Sequence, residues 1–288
     1  MMSKTRYVLL GASGMLGGAF ARRFEAESVE VAAYDRAGCD VTSLEDLQRL
    51  PLHEGVVVIN CTAWADVDGA ETNEAAATRV NGEGVGMLAK RCHQAGATLV
   101  HYSTDYVFPG NATSPYLEDA NRSPVNAYGR SKARGEELAL EATPDGLLLL
   151  RTSWLYGATG SNFVRTMLRL GMQKSELKVV DDQRGRPTSV DSLVDVTLQL
   201  LRSRARGIYH ATDGGECTWH GLASEIFRIA GMPTRVLPCT SDEFPRPAAR
   251  PSYSVLGLEK TEASLGRLPA WQGPLERVVA RVLAAGVS

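Results

Sequence analysis

The sequence is short of several features, and each shortage excludes a class of protein. Its 5 cysteines (Cys39, Cys61, Cys92, Cys217 and Cys239) are odd in number and scattered, with neither a CxxC pair nor a Cys/His ligand spacing. That pattern argues against a disulfide framework or a structural zinc, and for thiols buried as small hydrophobes in a reducing compartment. No apolar run approaches the roughly 20 residues that cross a bilayer. Neither charge dominates: 31 Lys+Arg stand against 33 Asp+Glu, a formal net charge of -2. No block of like charge follows a phosphate backbone, so nucleic acid is not expected as a partner, and neither is a membrane. The opening MMSKTRYVLLGASG passes directly into an apolar run and glycines, without the hydrophobic region and cleavage site of a secretory leader. A cytoplasmic location is the expectation.

What is present is the make-up of an ordinary globule, 44% hydrophobic and 22% charged over 288 residues, enough for one large α/β domain or a main domain with a smaller lobe. RYVLL, VEVAAY, GVVVIN, ATLVHYS and GLLLLRTS read as strands. Between them, GMLGGAFARRFEAE, TSLEDLQRL, NEAAATRVNGEGVGMLAKRCHQAG and NAYGRSKARGEELALEA read as helices. Continuous apolar strands joined by helices predict a Rossmann-type, doubly wound parallel sheet covered on both faces. In the third helix Gly82, Gly84 and Gly86 allow close packing on a neighbour. Past Trp154 the alternation weakens and Pro and Gly become frequent. The expectation is a dinucleotide-binding domain over residues 1–152, rejoined by a helix near 189–203, with 153–188 and 204–288 mainly forming a smaller substrate-binding lobe.

Gly11, Gly14 and Gly17 form G-x-x-G-x-x-G directly after the first strand and at the start of the first helix. Glycines there permit a tight turn and let backbone N–H groups, including those of Met15 and Leu16, approach a pyrophosphate. The second strand ends in Asp35 and Arg36. An acidic residue at such a strand end accepts from ribose hydroxyls and favours NADH, whereas an arginine faces the 2′-phosphate of NADPH, so both cofactors stay open. Asp40 and Val41 suit the flank of an adenine, or equally a turn residue and a core valine.

Tyr128 and Lys132 are four residues apart on a helix, hence on one face. A tyrosine titrates near 10; a neighbouring cation favours its phenolate and makes it a usable proton donor to a carbonyl that receives hydride. Pro124 and Asn126 end the preceding loop and start the helix. Ser103 and Thr104 end a strand just upstream, where an open α/β sheet binds its ligands and a hydroxyl can polarise the same oxygen.

The glycine pattern, the STDYVF strand end and YGRSK resemble the extended short-chain dehydrogenase/reductase family. Within it, NCTAWADVDGAE, HYSTDYVFPG, PVNAYGRSK, LRTSWLYG, NFVRTML and VVDDQRGRPTS are similar to the dTDP-4-dehydrorhamnose reductases. GIYHATDGGECTWHGLASEIF and PRPAARPSYSVL extend the likeness over nearly the whole chain. The resemblance implies NAD(P)H-dependent reduction of a 4-keto-6-deoxyhexose on a nucleoside diphosphate, with Tyr128 as proton donor, Lys132 its partner and holder of the nicotinamide ribose, and Thr104 as third catalytic hydroxyl. It also implies that Ala63, Trp64, Ala65 and Tyr102 line the cofactor and that Asp105 and Trp154 contact the sugar. Asn162 either bonds the nucleotide sugar or caps a helix. Cys61 and Trp64 depart from the family's usual residues. Ala19 stands where some members carry a glutamate for a magnesium-bridged dimer, so Mg²⁺ is doubtful, no metal site is expected, and the state is monomer or homodimer. Two alternatives stay open: a 4-ketoreductase for another nucleotide deoxysugar, and an NADP-binding regulatory subunit resembling the methionine adenosyltransferase β subunit.

Overall fold

The computed structural model describes residues 7–287; Arg6, read above as opening the first strand, lies outside them. Strands β1 (Tyr7–Leu10), β2 (Val31–Tyr34), β3 (Val57–Asn60), β4 (Thr98–Thr104) and β5 (Leu147–Thr152) alternate with helices α1 (Met15–Ala26), α2 (Leu44–Arg49), α3 (Val67–Thr72), α4 (Glu74–Thr78), α5 (Gly84–Ala95) and α6 (Ala127–Ala142). All five expected strands are present. They pair in parallel, and among the described residues the sheet has six strands: with β10 (Gly207–His210) at one edge, the order is β10-β5-β4-β3-β1-β2. This sixth member comes from a stretch the sequence reading had placed mainly in the smaller lobe.

Successive strand side chains point to opposite faces, and both faces are apolar. Leu9, Ile59, Val100 and Leu148 bury one face against Phe20 and Phe24 of α1. Val8, Val58, Leu99 and Leu149 bury the other against Leu47 of α2 and Leu88 of α5. The long third helix of the sequence reading is three elements: α4, a π-helical turn (Arg79–Glu83), and α5. Such bulges recur at functional sites. The close packing expected of its glycines is there: a Cβ on Gly82 would meet Arg134 Cγ at 3.0 Å, and one on Gly86 would meet Leu138 Cβ at 2.9 Å, both on α6.

Past β5 the chain builds three two-stranded sheets: β6 (Leu155–Tyr156) with β9 (Thr188–Ser189), β7 (Glu176–Val180) with β12 (Arg235–Cys239), and β8 (Arg184–Gly185) with β11 (Cys217–Thr218). Helices α7 (Phe163–Gly171), α9 (Trp219–Ala230) and α11 (Gln272–Ala284) enclose a separate core that includes Tyr156, Leu168, Phe227 and Leu275. Helix α8 (Val190–Arg202) returns to the main sheet, where Leu193 and Val194 join the α1 core, and α10 (Glu259–Leu265) packs on α8 and β10. A buried ion pair fixes α6 to β5: Arg151 Nε and Nη2 donate to Glu136 Oε1 and Oε2 at 2.9 and 2.7 Å, the two side chains 2% and 0% exposed.

Candidate active site

Strand order reverses between β1 and β3, because the chain leaves β1 toward β2 on one side and returns as β3 on the other. An open α/β sheet binds its ligands in the crevice beyond the carboxyl ends at that point. The glycine loop closes one side of it. Gly11 has φ +75, and a Cβ there would lie 3.0 Å from the Cys61 carbonyl and the Thr62 nitrogen; a Cβ on Gly17 would lie 2.1 Å from Gly11 O. The start of α1 has no side-chain cap and no acidic residue in its first turn. Its free N–H groups and positive dipole end therefore suit an anion such as a pyrophosphate.

From this loop a cavity of about 590 Å³ runs along the carboxyl ends of the strands. Gly14, Met15 and Leu16 form one wall, Ala63 and Ala65 a second, and Tyr102, Thr104 and Asp105 the floor. Tyr128, Lys132 and Trp154 complete it. Three of the family's implied roles thus fall on residues that meet in one cavity, although they come from β4 and α6.

Asn126 starts α6: its Oδ1 accepts from Gly129 N at 2.7 Å, while its Nδ2 donates to Ala249 O at 2.9 Å. Two residues on, Tyr128 is half-buried with Tyr106 edge-on to it, ring centroids 6.1 Å apart. Burial pushes the Tyr128 phenol up to about 12, and Asp105 pushes it the same way. The group that pulls it back is the Thr104 hydroxyl. This corrects the expectation that Lys132 lowers the tyrosine. The Lys132 ammonium, 2% exposed, is committed to the Tyr102 carbonyl, and burial brings it down to about 8 against the opposing pull of Glu136. At neutral pH the phenol is therefore protonated, the form a proton donor needs.

Thr104 Oγ1 donates to Asp105 Oδ1 at 2.9 Å and accepts from Tyr106 N at 3.2 Å. Asp105 is 2% exposed, and burial lifts its carboxyl to about 7 while hydrogen bonds from Ser254 and Thr104 draw it down. Ser103 and Thr152 also line the cavity, and their buried hydroxyls have no protein partner. Buried polar atoms of this kind are the ones a ligand satisfies.

The remaining named residues sit outside the cavity wall. Asp35 is exposed and accepts from Gly38 N at 2.9 Å; Arg36 is also exposed, 3.6 Å from Asp40. Asp40 accepts from Thr42 N and Oγ1 at 2.8 and 2.7 Å, a local turn, and Val41 is 4% exposed within the core. Trp64, like Tyr128, packs on the cluster of Ala70, Ala77 and Ala127 and is not among the cavity's lining, with its indole N–H on Asp66 O at 3.0 Å. Asn162 caps α7, accepting from Arg165 N at 3.2 Å and donating to Gly157 O at 3.0 Å. Ala19 is 4% exposed in the α1 core.

Among the wall residues without a role in the sequence analysis, Trp219 and Arg250 stand out. Trp219 lies parallel on Trp154, ring centroids 3.6 Å apart and 7° between planes. Trp154 itself holds φ 47, which a β-carbon disfavours and surrounding packing must enforce. Arg250 is pinned by Asp68 of α3 at 3.0 Å. Both were within quoted family motifs, and only their shared cavity gives them a place. Among the described residues no three His, Cys, Asp or Glu side chains gather to hold a metal ion, and no helix is long and apolar enough to cross a membrane.

Comparison with known proteins agrees with this geometry. The model of the RmlD substrate binding domain matches residues 5–284. The chain is 43% identical, over 97% of its length and 96% of the relative's, to a probable dTDP-4,6-dihydroxy-2-methyloxan-3-one 4-ketoreductase of Streptomyces antibioticus. It is 42% identical, over 94% and 92%, to a dTDP-4-dehydrorhamnose reductase of Streptomyces griseus. The solved dTDP-4-dehydrorhamnose reductase of Bacillus anthracis, in complex with NADP, superposes with a TM-score of 0.91 at 36% identity, covering 96% of this chain and 99% of that one. A Rossmann-type sheet, a crevice at its switch point and near-complete matching on these three counts place the chain in the RmlD substrate binding domain family.

Proposed function

We propose that the chain reduces the 4-keto group of dTDP-4-dehydro-β-L-rhamnose to give dTDP-L-rhamnose, oxidising NADPH or NADH, as a cytoplasmic monomer or homodimer. The observation that carries this is the meeting of Thr104, Tyr128 and Lys132 in the cavity that begins at the glycine loop. The N-terminus of α1 with Gly14, Met15 and Leu16 would hold the cofactor pyrophosphate, and Lys132 its nicotinamide ribose. When bound, the reduced nicotinamide supplies a hydride.

The protein's own part is proton supply and orientation. Tyr128 starts protonated and donates from Oη to the sugar oxygen as that oxygen gains charge. Thr104, its Oγ1 fixed by Tyr106 N, orients the same oxygen beside the phenol. The Trp154–Trp219 pair would form the apolar face for the sugar ring.

A second reading has its own observation. The Streptomyces antibioticus relative, named as a ketoreductase of a different sugar, is as similar as the dehydrorhamnose reductase. Loss of NADPH and NADH absorbance should therefore be followed with dTDP-4-dehydro-β-L-rhamnose and, in parallel, with a dTDP-4-keto-2,6-dideoxyhexose. Formation of dTDP-L-rhamnose supports the first reading, and turnover of the dideoxy sugar alone the second. Cofactor binding without turnover of either, together with stable association with a larger enzyme, would point to a regulatory subunit.

A further inference from the structure

Each reduction would leave Tyr128 as a phenolate on the floor of a cavity, and the next turnover needs the proton back. The hydroxyl beside it has one hydrogen and two acceptors. Thr104 Oγ1 donates to Asp105 Oδ1 at 2.9 Å, and Thr104 lines the same cavity as Tyr128, whose phenol its hydroxyl draws down. Its oxygen is held in place by Tyr106 N at 3.2 Å, so the hydrogen can swing while the oxygen stays. Asp105 is 2% exposed, and no hydrogen bond of regular geometry reaches its Oδ2. A carboxyl so placed is poorly solvated as an anion and readily holds a proton.

We infer that Asp105 is the proton reservoir of Tyr128, acting through the Thr104 hydroxyl; the inference rests on the reductase reading above. The Thr104 proton passes to Tyr128 Oη while the Asp105 proton passes to Thr104 Oγ1. The phenolate charge thereby moves to the Asp105 carboxylate, which takes a proton from solvent once the product has left. The direction is downhill, because the Tyr128 phenol titrates at about 12 and the Asp105 carboxyl at about 7. The groups around Asp105 do not compete for this proton. Tyr128 faces it from α6, and burial keeps the neighbouring Tyr106 phenol neutral. Arg250 and Asp68, paired at 3.0 Å, act on Tyr106, and Ser254 presents only a hydroxyl.

The role separates from simple contact with a sugar hydroxyl by its timing. In a first turnover Tyr128 already carries its proton, so a reservoir matters only from the second turnover onward. The test is stopped-flow absorbance of NADPH with excess 4-keto sugar nucleotide, for the wild type and Asp105→Asn. The expected result is a ratio of steady-state to first-turnover rate lower than that of wild type by roughly tenfold or more, with a solvent deuterium isotope effect on the steady state. Equal slowing of both phases, or a raised KM with kcat unchanged, overturns the inference and leaves Asp105 as a binding group.

Ser254→Ala is the second variant, useful if the asparagine variant does not fold. It removes a hydroxyl that draws the Asp105 carboxyl down, so the inflection of kcat near pH 7 should move upward, and an unmoved inflection also overturns the relay. A wild type that oxidises neither cofactor with any 4-keto sugar nucleotide removes the reductase reading itself, an outcome distinct from the other two.

Discussion

Asn81 grips Trp64 by both of its backbone groups: Asn81 Oδ1 accepts from Trp64 N at 2.9 Å, and Asn81 Nδ2 donates to Trp64 O at 3.0 Å. The same amide nitrogen donates to Ser131 Oγ at 2.9 Å, which in turn donates to Tyr128 O at 2.7 Å. The π-helical turn that carries Asn81 thus ties the Ala63–Ala65 wall to the helix bearing Tyr128 and Lys132.

Asn81→Ala removes these bonds and leaves the Trp64 backbone unpaired in a part-buried place. Losing such partners costs about 1–3 kcal/mol per unsatisfied group. The variant should melt several degrees lower and, because the wall moves relative to the catalytic helix, show a raised KM for cofactor with a smaller loss in kcat. A calorimetric scan and a KM–kcat comparison check it, and an unchanged cofactor KM would limit Asn81 to stability.

Tyr128→Phe removes one hydroxyl and keeps the ring that packs against Tyr106 and the Trp64 cluster. Folding and cofactor affinity should be preserved, with kcat lower by about 10²–10⁴. Cofactor titration by fluorescence, run beside turnover, tests this directly; normal turnover would remove Tyr128 from the mechanism.

The sheet was legible because its strands are short continuous apolar runs bounded by helical patterns, which holds for β1 to β5. It was not legible for β10, where Gly-Ile-Tyr-His has no run of its own and becomes a strand only by pairing with β5. The π-helical turn escaped for a related reason, since apolar spacing does not register one extra residue in a helix. In the site, Tyr128 and Lys132 were visible because helix geometry links positions four apart. Arg250 and Trp219 were not, because only tertiary folding sets them beside α3 and Trp154. The electrostatics of the tyrosine were misjudged because spacing says that Lys132 shares its face and not that the Tyr102 carbonyl claims its ammonium.

The buried Glu136–Arg151 pair should be the most sensitive structural point outside the cavity. Glu136 also accepts from Arg122 at 3.2 Å, so Glu136→Ala strands one guanidinium that is 2% exposed and loosens another. Breaking a buried pair from one side costs about 3–5 kcal/mol. Urea unfolding should show a midpoint shift of that size, and a loss below about 1 kcal/mol would mean that water reaches Arg151.

Asp105→Asn should stabilise the folded chain even as it impairs turnover. The Asp105 carboxyl titrates at about 7 when folded, against about 3.9 in an unfolded chain. Between those values the folded state holds the extra proton, so stability falls as pH rises from about 4 to 7, and above 7 the full cost of a buried carboxylate is present. Asparagine removes that charge. At pH 8 the variant should be more stable by on the order of 2 kcal/mol, a few degrees in Tm, and the difference should close as pH falls toward 4. Equal melting of the two proteins at pH 8 would mean that solvent reaches the carboxylate, while a gap of the same size at both pH values would assign the gain to packing. A gain confined to high pH is the signature of a group kept for chemistry against the stability of the fold.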